Sequence, residues 1–95
     1  MIKDLTKISD CNYDDLINII ELSISFKNGK SSSSLKDKTA VLLFDKPSLR
    51  TKLSFMIGVQ KLGGNAIYLS TEEVGMGTRE PIAAVSSVVS RMADL

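Results

Sequence analysis

Thr39-Ala40-Val41-Leu42-Leu43-Phe44-Asp45-Lys46-Pro47-Ser48-Leu49-Arg50-Thr51-Lys52-Leu53-Ser54-Phe55 joins the end of a strand, a tight basic turn and the first turns of a helix. Residues 39–44 are a short apolar, partly β-branched run, the form expected of a strand covered on both faces. Pro47 fixes its own φ and pushes Lys46 away from helical geometry, so strand and helix must join near it. Ser48 is a good N-cap residue and places the helix start.

A helix start carries backbone N–H groups without intrahelical partners and the positive end of the macrodipole, so it attracts anions. Here Ser48 and Thr51 add hydroxyls, Arg50 adds a planar donor fork, and Lys46 and Lys52 add positive potential. Those residue types in that order describe a small cradle for a phosphate-like anion. The same residues also fit a plain reading, in which Ser-x-x-Thr only caps a helix and the cations only solvate a loop.

Working outward, residues 53–62 (Leu53, Phe55, Met56, Val59 and Leu62) supply an apolar face to meet the sheet, over a helix running to about Leu62. Gly63-Gly64 ends that helix, and Ala66-Ile67-Tyr68-Leu69 reads as a second strand. Strand, helix, strand is a βαβ unit, which implies a parallel sheet and a right-handed crossover. Ligands in such sheets sit beyond the carboxyl ends of the strands, where Ser48 to Thr51 fall. Neither G-x-G-x-x-G after a strand nor G-x-x-x-x-G-K-[ST] occurs, which disfavours a nucleotide cofactor.

The stretch Phe44 to Phe55, followed by Leu62-Gly63-Gly64-Asn65-Ala66-Ile67-Tyr68-Leu69-Ser70, resembles the carbamoyl-phosphate motif of the aspartate/ornithine carbamoyltransferases. The family form is Phe-x-x-Pro-Ser-Thr-Arg-Thr-Arg-x-Ser-Phe, then Leu-Gly-Gly. Gly77-Thr78-Arg79-Glu80 and Val89-Ser90-Arg91-Met92-Ala93-Asp94 also look like family segments, in order and at compatible spacing. The resemblance runs from about Asp4 to Leu95. It implies an α/β fold of three layers, a parallel sheet flanked by helices, as part of a carbamoyl-phosphate-binding domain over residues 1–95.

On that resemblance, Ser48 and Thr51 bond phosphate oxygens, Arg50 neutralises charge, and Leu49 contributes its backbone N–H. Leu49 stands where the family motif has Thr, which removes one side chain but keeps the backbone donor. The loop 70–80 corresponds to one that reaches a neighbouring subunit's active site in the family. Gly75 falls at or near a phosphate-contacting glutamine of many ornithine enzymes and has no side chain to make that contact. Arg79 falls where several members carry a basic residue and is a further candidate; it reads equally as a solvated charge paired with Glu80.

The rest of the chain is quieter. Among its 95 residues 43% are hydrophobic and 24% charged, ordinary for a globular domain of modest core. A net charge of +1 gives no reason to expect nucleic acid or an anionic membrane as partner. Cys11, the single cysteine, excludes an internal disulfide, and the lack of histidine removes Ser/His and Cys/His catalysis and the commonest metal ligand. No cofactor or metal is expected. No apolar run reaches the length of a membrane span and the N-terminus is no signal peptide, so the cytoplasm is the expected location.

Asn12 can cap a helix with Asp14 and Asp15 in its first turn, carrying Leu16, Ile17, Ile19, Ile20 and Ile24 to an end at Asn28-Gly29-Lys30. Ser31 to Ser34 reads as a flexible connector, with phosphorylation as the alternative. Pro81 opens a further helix, to which Ala83, Val85, Val88, Val89 and Met92 give an apolar face. Two strands with three helices would leave an open sheet edge and exposed apolar surface.

Family members are about three times this length on domain-size grounds. The chain therefore reads as an N-terminal part, without the amino-acid-binding domain or the histidine that polarises the carbamoyl group. The implied reaction is transfer of carbamoyl from carbamoyl phosphate to the δ-amino group of ornithine, by a homotrimer or a multiple of trimers. Lys46-Pro47 and the lack of a Ser-rich Lys-Gly-Glu loop lean towards ornithine. Aspartate as acceptor, or a non-catalytic remnant that only binds phosphate, are the alternatives.

Overall fold

A computed structural model of the chain describes residues 4–75, 77–78 and 80–95. The chain divides into two compact units, Met1–Ser31 and Ser32–Leu95. The division falls inside the serine tract, where the sequence predicts a connector.

The first unit is built on one helix, α1 (Tyr13–Lys27), preceded by a single 3-10 turn at Ile8–Asp10 that the sequence reading did not anticipate. Asn12 caps α1 as expected: its side chain accepts from the Asp15 N–H at 2.8 Å, and the Asp15 carboxylate accepts from the Asn12 N–H at 3.2 Å. This reciprocal pairing satisfies two backbone donors at the helix start. Ile19, Ile20, Leu22 and Ile24 are exposed.

The second unit contains β1 (Thr39–Phe44), α2 (Leu49–Lys61), β2 (Asn65–Ser70), α3 (Thr71–Val74) and α4 (Ile82–Met92). β1 and β2 pair in parallel, in register from Thr39↔Asn65 to Phe44↔Ser70. The expected βαβ unit and mixed α/β class are therefore present, with both strands within a residue of their predicted bounds. Alternation along the strands divides the sheet into two faces. Ala40, Leu42, Phe44, Ala66 and Tyr68 share the face on which α2 lies, with Lys52 seated over Tyr68. Thr39, Val41, Ile67 and Leu69 share the other, where they line a groove of about 560 Å³ with Ala84, Val85, Val88, Val89 and Met92 of α4. Helices on both faces of one sheet give the predicted three layers.

The Gly63-Gly64 step is required by geometry. Gly63 has φ +89°, and a Cβ on Gly64 would lie 3.1 Å from the Leu35 Cβ, the Leu35 carbonyl and the Val59 methyl. Only glycine lets the chain turn from α2 into β2 this close to Leu35. Leu35 N–H donates to the Leu62 carbonyl and Asn65 N–H to the Lys38 carbonyl, both at 2.9 Å, sealing that corner.

Several sequence expectations need correction. The core is smaller than the apolar faces suggest: Ala40, Val59 and Val85 are its buried hydrophobic residues. Leu53 and Phe55 were expected to meet the sheet but are 47% and 56% exposed, because α2 turns its Val59 and Lys52 side inward. Met92 and Val88 of α4 are also exposed. The start of β1 is bonded on its outer side: the Asp94 and Leu95 N–H groups donate to the Thr39 carbonyl, and Val41 N–H donates to a Leu95 oxygen at 2.9 Å. Pro81 precedes α4 as its N-cap instead of lying in its first turn. Residues 71–74, read as loop, form α3. The signal was present in Ser70-x-x-Glu73, a capping-box pattern. Among the described residues no helix is long and apolar enough to cross a membrane.

Candidate functional site

β1 delivers the chain to the carboxyl end of the sheet, and residues 45–47 turn it into α2. Ser48 stands at the N-cap with extended backbone (φ −154°, ψ 97°), and helical bonding begins when Lys52 N–H donates to the Ser48 carbonyl at 3.0 Å. The regular helix thus starts at Leu49, directly after the expected N-cap. The N–H groups of Leu49, Arg50 and Thr51 lie ahead of the first intrahelical bond, as they must at any helix start.

Ser48 sits at the cap without capping. Its side chain makes no bond to the helix, whereas Asn12 caps α1 and Ser70 caps α3, each through a reciprocal pair. At the start of α2 the hydroxyl and three amides therefore have no hydrogen-bond partner among the described residues. No acidic residue occupies the first turn of α2. Arg50 and Lys46 are exposed, and neither forms an ion pair among the described residues. Thr51 is exposed beside them, its carbonyl accepting from the Ser54 hydroxyl at 3.0 Å. Unengaged amides, two hydroxyls and a guanidinium around one helix N-terminus are the chemistry of an anion site.

The predicted Ser48, Leu49, Arg50 and Thr51 are thus brought together at one turn. The Leu49 side chain is 70% exposed, leaving only its backbone to serve the cradle. Lys52 has a contact that the sequence does not announce: its ammonium lies 3.8 Å from the centroid of the Tyr68 ring. Arg79 lies outside the described residues. Gly75 is buried and adopts the left-handed conformation (φ 67°) that ends α3.

Two contacts escaped the sequence reading. The Thr71 hydroxyl donates to Asp45 Oδ1 at 3.0 Å, tying the turn after β1 to the start of α3. Phe44 packs edge-on to Tyr68, with ring centroids 5.6 Å apart. Both join residues more than twenty positions apart, and only the parallel register of β1 and β2 makes them neighbours.

Residues 3–95 match the family model described as aspartate/ornithine carbamoyltransferase, carbamoyl-P binding domain. The chain belongs to the aspartate/ornithine carbamoyltransferase family. An ornithine carbamoyltransferase of Methylobacillus flagellatus is 40% identical over 98 residues, covering 99% of this chain and 32% of that protein. The anabolic ornithine carbamoyltransferase of Campylobacter jejuni superposes with a TM-score of 0.89 at 26% identity, over 98% of this chain and 31% of its own. An N-acetyl-L-ornithine transcarbamylase mutant, solved with carbamyl phosphate and N-succinyl-L-norvaline, gives a TM-score of 0.87 at 30% identity, over 98% of this chain and 32% of its own. The chain spans about a third of the length of these carbamoyltransferases.

Proposed function

We propose that Ser48, Leu49, Arg50 and Thr51 hold the phosphate of carbamoyl phosphate, and that this chain supplies that half of an ornithine carbamoyltransferase site. The observation that carries the reading is the helix start of α2, where the Ser48 hydroxyl caps nothing and Arg50 has no ion-pair partner among the described residues. Membership of the family supplies the identity of the anion.

The chemistry follows from the cradle. The δ-amino nitrogen of ornithine attacks the carbonyl carbon of carbamoyl phosphate, the bond from that carbon to the phosphate oxygen breaks, and inorganic phosphate leaves as the nitrogen gives up a proton. Fixing the phosphate orients the carbamoyl carbon for attack. The same donors, Arg50 and the amides, would stabilise the charge that gathers on the departing phosphate. The groups that bind ornithine and polarise the carbamoyl oxygen are not among these residues, so transfer itself belongs to the complete enzyme. Action as a homotrimer or multiple of trimers, and a cytoplasmic setting, are parts of the same proposal; the single cysteine supports the latter.

Isothermal titration with carbamoyl phosphate and with inorganic phosphate tests the reading, after circular dichroism has established that the chain is folded. Binding by the wild type that is lost in Arg50→Ala is the expected result. A folded wild-type chain that binds neither anion, or an Arg50→Ala chain that binds as well as wild type, overturns it.

A further inference from the structure

Residues 45–51 hold every group assigned to the anion, and the residues on either side of them meet on one side chain. Phe44, immediately before, packs edge-on against Tyr68 with 75° between the rings. Lys52, immediately after, sets its ammonium over the face of the same ring, 3.8 Å from its centroid. Tyr68 itself is held in the middle of β2, paired with Leu42 in the parallel ladder. A strand residue thus closes the turn like a clasp.

The helix geometry explains why Lys52 serves the clasp and Arg50 the anion. At 3.6 residues per turn, positions two apart lie about 200° apart around the axis. Lys52 points inward and is half-buried over the sheet, while Arg50 points to solvent. A lysine held at close range over an aromatic face is attracted by the ring quadrupole and gives up its freedom to wander. A turn ordered before the anion arrives leaves less conformational entropy to be lost on binding.

We infer that Tyr68 is a positioning residue for the anion cradle, acting through Lys52 and Phe44; the inference rests on the assignment of the cradle to residues 48–51. Tyr68 touches no part of the anion. The Thr71 to Asp45 hydrogen bond holds the turn from a second direction, so loss of Tyr68 loosens the cradle without abolishing it.

The test is titration of the chain with inorganic phosphate, comparing wild type, Tyr68→Leu, Tyr68→Phe, Lys52→Met and the Lys52→Met/Tyr68→Leu double variant. Tyr68→Leu weakens binding about five-fold, the size expected of one cation–π contact. Tyr68→Phe keeps the ring and binds as wild type. Lys52→Met loses about as much as Tyr68→Leu, and the double variant no more than either, because both remove the same contact. Ile67→Ala, next to Tyr68 but on the other face of β2, leaves binding unchanged. Tyr68→Leu binding as wild type, or a Lys52→Met loss that Tyr68→Leu does not share, overturns the inference. With Arg50-dependent binding intact, either result spares the cradle; a wild type that binds no phosphate overturns both. Should Tyr68→Leu not fold, the wild type decides. The Lys52 ε-methylene protons stay shifted upfield by the ring at saturating phosphate, and their return to ordinary positions would show Lys52 leaving Tyr68 for the anion, overturning the inference.

Discussion

α2 and α3 each start from a serine at the carboxyl end of a strand, and the two strands are neighbours in one parallel sheet. At α3 the Ser70 hydroxyl accepts from the Glu73 N–H at 3.0 Å, while the Glu73 carboxylate accepts from the Ser70 N–H at 3.2 Å. Glu72 and Glu73 fill the first turn with negative charge. At α2 the hydroxyl has no partner among the described residues, and the first turn has Arg50 and no acid. One start is closed by its own side chains and repels anions, and the other is open and attracts them. The difference shows that a serine at a helix start does not announce a site; what the following three residues do with the amides decides it.

That contrast can be erased by giving α2 the acid that α3 already has. Ser48→Asp would place a carboxylate on the amides of Arg50 and Thr51, and phosphate affinity should fall by more than about 100-fold through occupation and like-charge repulsion. Its melting temperature should hold or rise, since a carboxylate there favours the helix dipole. Arg50→Ala comes next. Removing a charge-assisted partner of the anion should cost about 1.5–3 kcal/mol of binding, roughly 10- to 100-fold by titration. Thermal unfolding should move by no more than about 0.5 kcal/mol, because Arg50 is exposed and forms no ion pair among the described residues.

The serines themselves should give crossed results. Ser70→Ala should destabilise the chain by about 1 kcal/mol in denaturant unfolding and leave phosphate binding alone. Ser48→Ala should do the reverse, weakening binding about five-fold with little change in stability, because no cap is lost. Equal stability losses in the two variants would erase the distinction between the two starts.

Much of this arrangement is legible in the sequence because it is local. The apolar run 39–44, Pro47 and Gly63-Gly64 fix strand, turn and helix through near-neighbour sterics, and the structure follows them closely. Ser48, Leu49, Arg50 and Thr51 are contiguous, so one helix start gathers them wherever the rest of the chain goes. What stayed hidden depends on strand register. The sequence offers Lys52 only as a further cation near the turn; Leu42↔Tyr68 pairing is what sets an aromatic ring beneath it. Asp45 and Thr71 became partners for the same reason. The apolar faces misled differently: helical spacing marks which residues share a side, but Leu53, Phe55 and Met92 remain exposed in this chain.

The most direct measurement is a phosphate titration followed by amide 1H–15N NMR, read at both helix starts at once. The Leu49, Arg50 and Thr51 amides should move together and saturably while those of Thr71, Glu72 and Glu73 stay in place. Movement at the second set, or at neither, would contradict the claim that the start of α2 is an anion cradle.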